Sequence, residues 1–408
     1  MPDQYNRRSF LAGVLACGTL SASAGYLLQG SPRAGIKLVL DSGADSTGGR
    51  KAVIGLWNER HPDVQLALNE VPSETGGQKL TMRNHAVDGS ADIINLDVIH
   101  VPEFAAADLI VPLELDGPNE YLDPLLHPLR HREDPGRYWA APFNTDVGMM
   151  FQRLTDGSSD TDRQTLKEVL AQRAPDGSGR FVGQLRPQTS TAREAFVVNV
   201  LEHALAQDPG ILGGDGVVSQ DPRRWTQALR PLRDYVNTPK TPVASDENET
   251  VVVFDRLRSP YMRNWPVYYR RYKQNGQFGG RGVVVSSLPV GILGGQCLAV
   301  VKAGRHLDEA AAAVRFLTAT PAQKTLALHG LAPTRMGAYD DADLKDLMPH
   351  LEAVRGAVEG SRPRPVHPDY AIFSRVVHDN VRSHLYEGAD LGSDLITGMT
   401  LALTRRRW

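Results

Sequence analysis

Residues 261–269 place Arg263, Asn264 and Trp265 side by side, with Pro266 stiffening the backbone after them and Tyr268 close behind. A flat indole flanked by hydrogen-bond donors suits a ligand with one apolar face and a rim of hydroxyls, such as a sugar ring. The competing reading makes Trp265 a core residue and Arg263 a solvated one. Carboxylates offer a second chemistry. Asp41, Asp45 and Asp97 lie at or just beyond the ends of short apolar runs, and Glu103 and Asp146 add to the set. Two such groups could form the acid and base of a glycosidase, but spacing along a chain does not give distance in space. In a binding protein they accept hydrogen bonds from sugar hydroxyls, each worth about 0.5–1.5 kcal/mol net and up to about 3 kcal/mol when charged. The chain has no Gly-x-Ser-x-Gly elbow and no His-Glu-x-x-His zinc motif, and its histidines are scattered. Binding is therefore expected rather than catalysis, with no cofactor and no metal.

These residues need a frame. Residues 36–40 form a short apolar strand that ends in a polar turn, and Val53, Ile54, Leu56 and Trp57 follow on one side of a helix. Further strands are expected at 64–68 and 92–97. A β-turn-α-β order makes a parallel sheet, whose ligands sit at the carboxyl ends of the strands. The Gly48-Gly49 turn lacks the Gly-Lys-Ser/Thr ending of a phosphate loop. A helix is expected over 307–320, and polar loops over 155–162 and 238–250. With 408 residues and 41% hydrophobic content, the chain can bury the cores of two domains. Its net charge of -2 gives no basic face for nucleic acid.

The amino terminus reads as an address. Arg7 and Arg8 precede an uncharged apolar run over 10–28, the layout of a twin-arginine export signal spanning about 1–30. A membrane span that is never removed is the alternative reading of so long a run. Ala22-Ser23-Ala24 offers a cleavage site after Ala24, whereas Val14-Leu15-Ala16-Cys17 resembles a lipobox that would acylate Cys17. Both endings stay open. Either one leaves the protein outside the cytoplasm, at the outer membrane face or secreted. With 2 Cys in the chain, loss or lipidation of Cys17 leaves Cys297 without a disulfide partner.

The phrases fall in a telling order. Trp57, Asn58, His61, Pro62, Asp63 and Val64 open the second strand, and residues 92–97, 103–107 and 138–146 follow. Then come 151–153, Met262 to Pro266, Gly294 to Val300, and 362–370 with its alternating Arg-Pro pairs. From about residue 36 to the carboxyl terminus the chain resembles family 1 extracellular solute-binding proteins. The Met262–Pro266 and 362–370 phrases are similar to the trehalose/maltose-binding branch. The resemblance implies an α/β, type II-like periplasmic-binding-protein fold, with parallel-rich sheets flanked by helices and a ligand cleft between two lobes. Lobe one would span 36–143 plus 288–333 and lobe two 147–285 plus 338–408, with hinge crossings near 144–146, 286–289 and 333–337. It implies a monomer that binds a carbohydrate, delivers it to ABC permease subunits and is tethered to the membrane by its signal or a lipid. Binding of a non-sugar solute, sensing without transport and, remotely, a carbohydrate-active enzyme are the alternatives. The ligand-binding residues would be Asp45, Asp97, Asn144, Asp146, Arg263, Asn264, Trp265, Tyr268, Gly295, Gln296 and Arg364. Two positions depart from the branch: Val267 stands where an aromatic usually follows, and Gln296 where a Trp is common. Loss of two flat surfaces implies a repacked site and leaves the sugar open.

Overall fold

Strand β1 (Ile36–Ser42) pairs in parallel with β2 (Val64–Glu70) along its whole length and with β3 (Ile93–Asp97) at its carboxyl end. These strands are rich in Ile, Leu and Val, as expected where both faces of a sheet are covered. The computed structural model describes residues 35–72, 77–154, 165–186, 193–213, 216–272 and 282–405. The signal readings at Arg7, Arg8 and Cys17, and the loop expected over 155–162, lie outside them.

The first sheet is completed by strands that arrive from far along the chain. Strand β10 (Leu293–Val301) runs antiparallel between β3 and the short β4 (Ile110–Val111), and β5 (Ala141–Val147) pairs with β10 as well. Alternation along β10 sorts its side chains into two cores. Leu298 and Val300 pack with β1, the helix Gly49–Arg60 and the helix Leu307–Leu317, while Cys297, Ala299 and Val301 pack with Phe104, Leu129 and Tyr138. The second sheet has the order β7 (Phe181–Val182), β8 (Tyr261–Asn264), β6 (Met149–Arg153), β9 (Val283–Ser287). Helices Arg193–Gln207, Pro222–Val236, Tyr370–Arg382 and Ser393–Thr404 close a core around Phe196, Trp225, Phe373 and Met399 beside it.

Parallel pairing is less prevalent than expected. Only β1–β2, β1–β3 and β7–β8 are parallel; the other named strand pairs are antiparallel. The cause is connectivity, because strands that return from the other sheet enter in the reverse direction. The chain leaves the first sheet at Gly148, between β5 and β6, and returns through residues 288–292, between β9 and β10. It leaves again beyond Ala332, which bridges Thr145, and Arg335, which bridges Tyr121. At that last passage the Arg335 guanidinium lies 3.8 Å over the Tyr121 ring and donates to the Thr318 carbonyl and to Glu120.

Two local expectations change. Residues 238–250 are not all loop, because the helix Glu247–Leu257 begins inside them, capped by the Asp246 carboxylate on the Glu249 N–H at 2.8 Å. The helix expected over 307–320 ends at Leu317, and a second helix, Thr320–Leu328, starts beyond it with Pro321 in its first turn.

Gly295 fixes the join of β5 and β10. Its φ is 118°, and a Cβ there would lie 2.5 Å from the Asn144 carbonyl oxygen. Gly295→Ala should lower stability by at least about 1–3 kcal/mol of backbone strain, read as a fall in the urea midpoint. An unchanged midpoint would show that the strand pair yields freely.

Candidate functional site

Pairing brings one polar row together at the carboxyl ends of the first sheet. Gln296 sits opposite Asp97 on one side and Asn144 on the other, and Gly294 sits opposite Asp146. Residues two apart on a strand share a face, so Asn95, Asp97, Gln296, Asn144 and Asp146 project together. Gln296 is half-buried, and its side-chain carbonyl accepts from Asn95 Nδ2 at 3.0 Å and from the Arg50 guanidinium. Asn95 Nδ2 also reaches Ser42 Oγ at 2.9 Å. Arg50 stands in the first turn of its helix and also donates to the Ala44 carbonyl at 3.0 Å. Three buried atoms here, Arg50 Nε beside the row and Asn95 Oδ1 and Asn144 Oδ1 within it, make no hydrogen bond among the described residues. Such groups are costly unless something satisfies them.

The second sheet supplies the opposite wall. Trp265 follows β8, is half-buried, and donates from its indole N–H to Glu247 Oε1 at 3.0 Å. Its ring edge reaches the first sheet, where a Cβ on Gly294 would lie 3.5 Å from Cη2 and Cζ3. The Arg263 guanidinium carbon lies 3.9 Å from the ring centroid, a stacked cation–π contact. Tyr268 donates to Asn248 Oδ1 at 3.1 Å, and burial beside Glu247, Asp246 and Asp146 pushes its phenol well up. Arg364 closes one side of the cleft. It is buried, donates to Asp97 at 3.2 Å and to Glu194 at 2.9 Å, and its proton is held firmly by those carboxylates.

Asp146 is the most perturbed acid of the row. Desolvation raises it from 3.8 to about 7; Asp97 and Glu247 add to the rise, and Arg263 and Arg50 oppose it. A carboxyl group desolvated among like charges can donate or accept a hydrogen bond with a ligand hydroxyl near neutral pH. The arrangement as a whole is a cleft of paired hydrogen-bonding groups with one aromatic wall, able to orient a polyhydroxylated ligand.

A model of the family described as bacterial extracellular solute-binding protein matches residues 43–186. A probable ABC transporter-binding protein of Deinococcus radiodurans is 26% identical over 250 residues, 56% of this chain and 59% of that relative's length. Among solved structures, a maltose-bound MalE3 of T. maritima superposes with TM-score 0.75 at 23% identity, over 91% of this chain and 99% of the other. The sugar-binding MalE of Xanthomonas citri gives TM-score 0.72 at 18% identity, covering 91% and 98%. A solute-binding protein of Agrobacterium radiobacter K84 in complex with ribitol gives 0.70 at 19%, covering 92% and 100%.

Over residues 43–186 the chain is similar to the bacterial extracellular solute-binding proteins.

Its fold is the two-lobe α/β architecture of those solved structures. Three of the residues expected at the ligand are set apart by their surroundings. Arg263 has no exposed surface and is paired through Nε and Nη2 with Glu202, each at 2.8 Å. Asn264 is equally buried; its amide holds the Glu247 carbonyl at 3.0 Å and its carbonyl holds the Trp265 N–H at 2.9 Å. Both residues therefore position the indole rather than present donors to solvent. The Asp45 carboxylate binds the Lys51 N–H and the Thr47 hydroxyl, so it secures the turn before the helix. Asp41 and Glu103 are likewise engaged, with Asn69 and His85 and with Lys79 and Arg83 respectively. Gly295 acts through backbone shape. Residues missed from the sequence are Arg50, Asn95, Glu247 and Glu202. Arg50 directly follows the Gly48-Gly49 turn, a position that points to a sheet end, and Glu247 lay hidden in a presumed loop.

The raised Asp146 has a thermodynamic consequence with a definite sign. The folded protein binds its proton more tightly than the unfolded chain, so its contribution is fully present below about pH 4 and lost as pH rises through about 7. Asp146→Asn should remove that decline. Urea midpoints of the variant should hold flatter than wild type between pH 4 and 7; parallel curves would refute the placement of Asp146 in a desolvated site.

Proposed function

We propose that this chain is the extracellular binding component of an ABC importer, taking a carbohydrate between its lobes and delivering it to permease subunits. The observation that carries the reading is Trp265, whose ring edge meets Gly294 beside Asp146, at the polar row Asp97, Gln296, Asn144 and Asp146. An indole beside convergent amides and carboxylates is the chemistry that a pyranose ring or polyol demands. The T. maritima neighbour holds maltose and the A. radiobacter neighbour ribitol, which supports a polyhydroxylated ligand. The MalE-like neighbours also support placement near the trehalose/maltose branch. The polar Gln296 replaces a ring surface there, so the sugar is gripped more by hydrogen bonds than by a second stack.

The division into 36–143 plus 288–333 and 147–285 plus 338–408 is part of this proposal, supported by the sheet changes at Gly148, 288–292 and beyond Arg335. Ligand-driven closure about those passages requires tighter contact with the closed form than with the open one. The protein acts as a monomer and performs no catalysis. Export through the Arg7-Arg8 signal, with either acylation of Cys17 or cleavage after Ala24, keeps it at the outer face of the membrane. Among the described residues no helix is long and apolar enough to cross a membrane.

Calorimetry against maltose, trehalose, tagatose and ribitol, with analysis of the recovered sugars, tests the reading. At least one should bind and return chemically unchanged; a hydrolysed sugar, or no binding across the panel, would overturn it. Trp265→Ala should weaken binding at least about tenfold, since stacking contributes about 0.5–1.5 kcal/mol beyond area burial and each 1.4 kcal/mol is tenfold. Trp225→Ala, in the core, should instead cost about 3–5 kcal/mol of stability. For export, replacing Arg7 and Arg8 by Lys should leave precursor in the cell, and normal secretion of that variant would remove the twin-arginine assignment.

A further inference from the structure

Glu202 lies in the middle of the helix Arg193–Gln207, in a stretch where every residue from Ala195 to Leu205 is buried. A carboxylate there must be paired. Its partners are informative. Both oxygens accept from Arg263, and Oε1 also accepts the N–H of Ile292 at 3.2 Å. Ile292 belongs to the passage that returns the chain to the first sheet, one residue before β10. A second passage meets the same carboxylate: a Cβ on Gly148 would lie 1.9 Å from Glu202 Oε1 and 2.9 Å from Arg263 Nη2. The Gly148 N–H in turn donates to the Ile292 carbonyl at 3.4 Å. A third segment joins them, since Leu293 and Arg362 exchange a backbone hydrogen bond at 2.8 Å and Arg362 donates to Gly291 at 2.9 Å.

On its far side Arg263 lies under Trp265. The same carboxylate therefore touches two of the three passages between the sheets and, through one guanidinium, Trp265. We infer that Glu202 is a positioning residue for binding, which sets the indole of Trp265 against the first sheet and ties its placement to the passages about which the lobes move. This rests on the reading of Trp265 as the ligand platform.

The physics is specific to charge. The pair is dry, and burial, with Arg263 adding to it, lowers the pKa of His203 to about 4, so that ring stays neutral and brings no second positive charge. Glu202→Gln keeps the shape but puts an amide N–H against the guanidinium and leaves its charge uncompensated. A negative charge that Arg263 still senses is that of Asp146, towards which it is then drawn, carrying the stacked indole with it. Gly148→Ala perturbs the same node without altering any charge, by pushing the carboxylate off its partners.

The test uses the ligand-free protein labelled with 5-fluorotryptophan and observed by fluorine NMR. The chain has five tryptophans, and the Trp265 line is assigned by its loss in Trp265→Phe. In both Glu202→Gln and Gly148→Ala the Trp265 line should shift or broaden while those of Trp57, Trp139 and Trp225 hold their positions. A folded variant with an unmoved Trp265 line overturns the inference, as does a common shift of all lines, or failure of both variants to fold, each of which marks a general structural role. The sugar panel answers separately: a silent panel beside a selective Trp265 shift removes the carbohydrate reading and leaves the positioning role.

Discussion

The pairing of β5 with β10 is the constraint on which the site depends. It joins residues about 150 positions apart in sequence and sets Gln296 against Asn144 and Gly294 against Asp146. Two glycines make the join possible for different reasons. Gly295 adopts a backbone conformation that other residues resist and lets the strands approach, whereas Gly294 clears space for the edge of Trp265. Without that approach the polar row would be split, and the indole would have no surface to face.

Charge organises what the strands bring together. Arg364 holds Asp97 and Glu194, Arg263 holds Glu202, and Arg50 is spent on Gln296 and backbone carbonyls. Asp146 has none of these cations among its hydrogen-bond partners in the described residues, and desolvation, with Asp97 beside it, raises its pKa to about 7. The cleft is thus rigid where its charges are paired and responsive at one carboxylate. A binding site gains from this arrangement, because paired groups lose little further freedom when a ligand arrives.

Much of the frame was legible in the chain. Apolar runs marked β1, β2 and β3, and the polar residues at their carboxyl ends marked one wall of the cleft. The sense of the remaining strands was not legible, because it depends on how often the chain passes between sheets rather than on composition. Site residues were harder to sort. Arg263, Asn264 and Trp265 are adjacent in sequence, but only the structure separates a buried ion pair and a buried amide from a half-exposed ring. Asp45 sits beside the cleft yet is occupied by its own turn. Glu202 left a usable signal, since an acid within the apolar run 195–205 cannot be buried alone. Arg50 left little beyond its place after two glycines, because its partner Gln296 is remote in sequence.

The two departures from the family pattern acquire a physical meaning once the surroundings are known. Gln296 spans Arg50 and Asn95, so the position that commonly carries a ring here completes a hydrogen-bond chain from Ser42 to the helix start. Val267 packs against the core of the first sheet instead of offering a ring. Both changes shift recognition from flat contact towards directional polar contact. Directional contacts discriminate more sharply among hydroxyl patterns, because a mismatched hydroxyl leaves a buried partner unsatisfied at about 1–3 kcal/mol. Stacking tolerates such mismatches. On the proposed reading, one ring beside a dense polar row favours selectivity over breadth, and Asn95 Oδ1, Asn144 Oδ1 and Arg50 Nε, which have no hydrogen-bond partner among the described residues, are the atoms that would impose it.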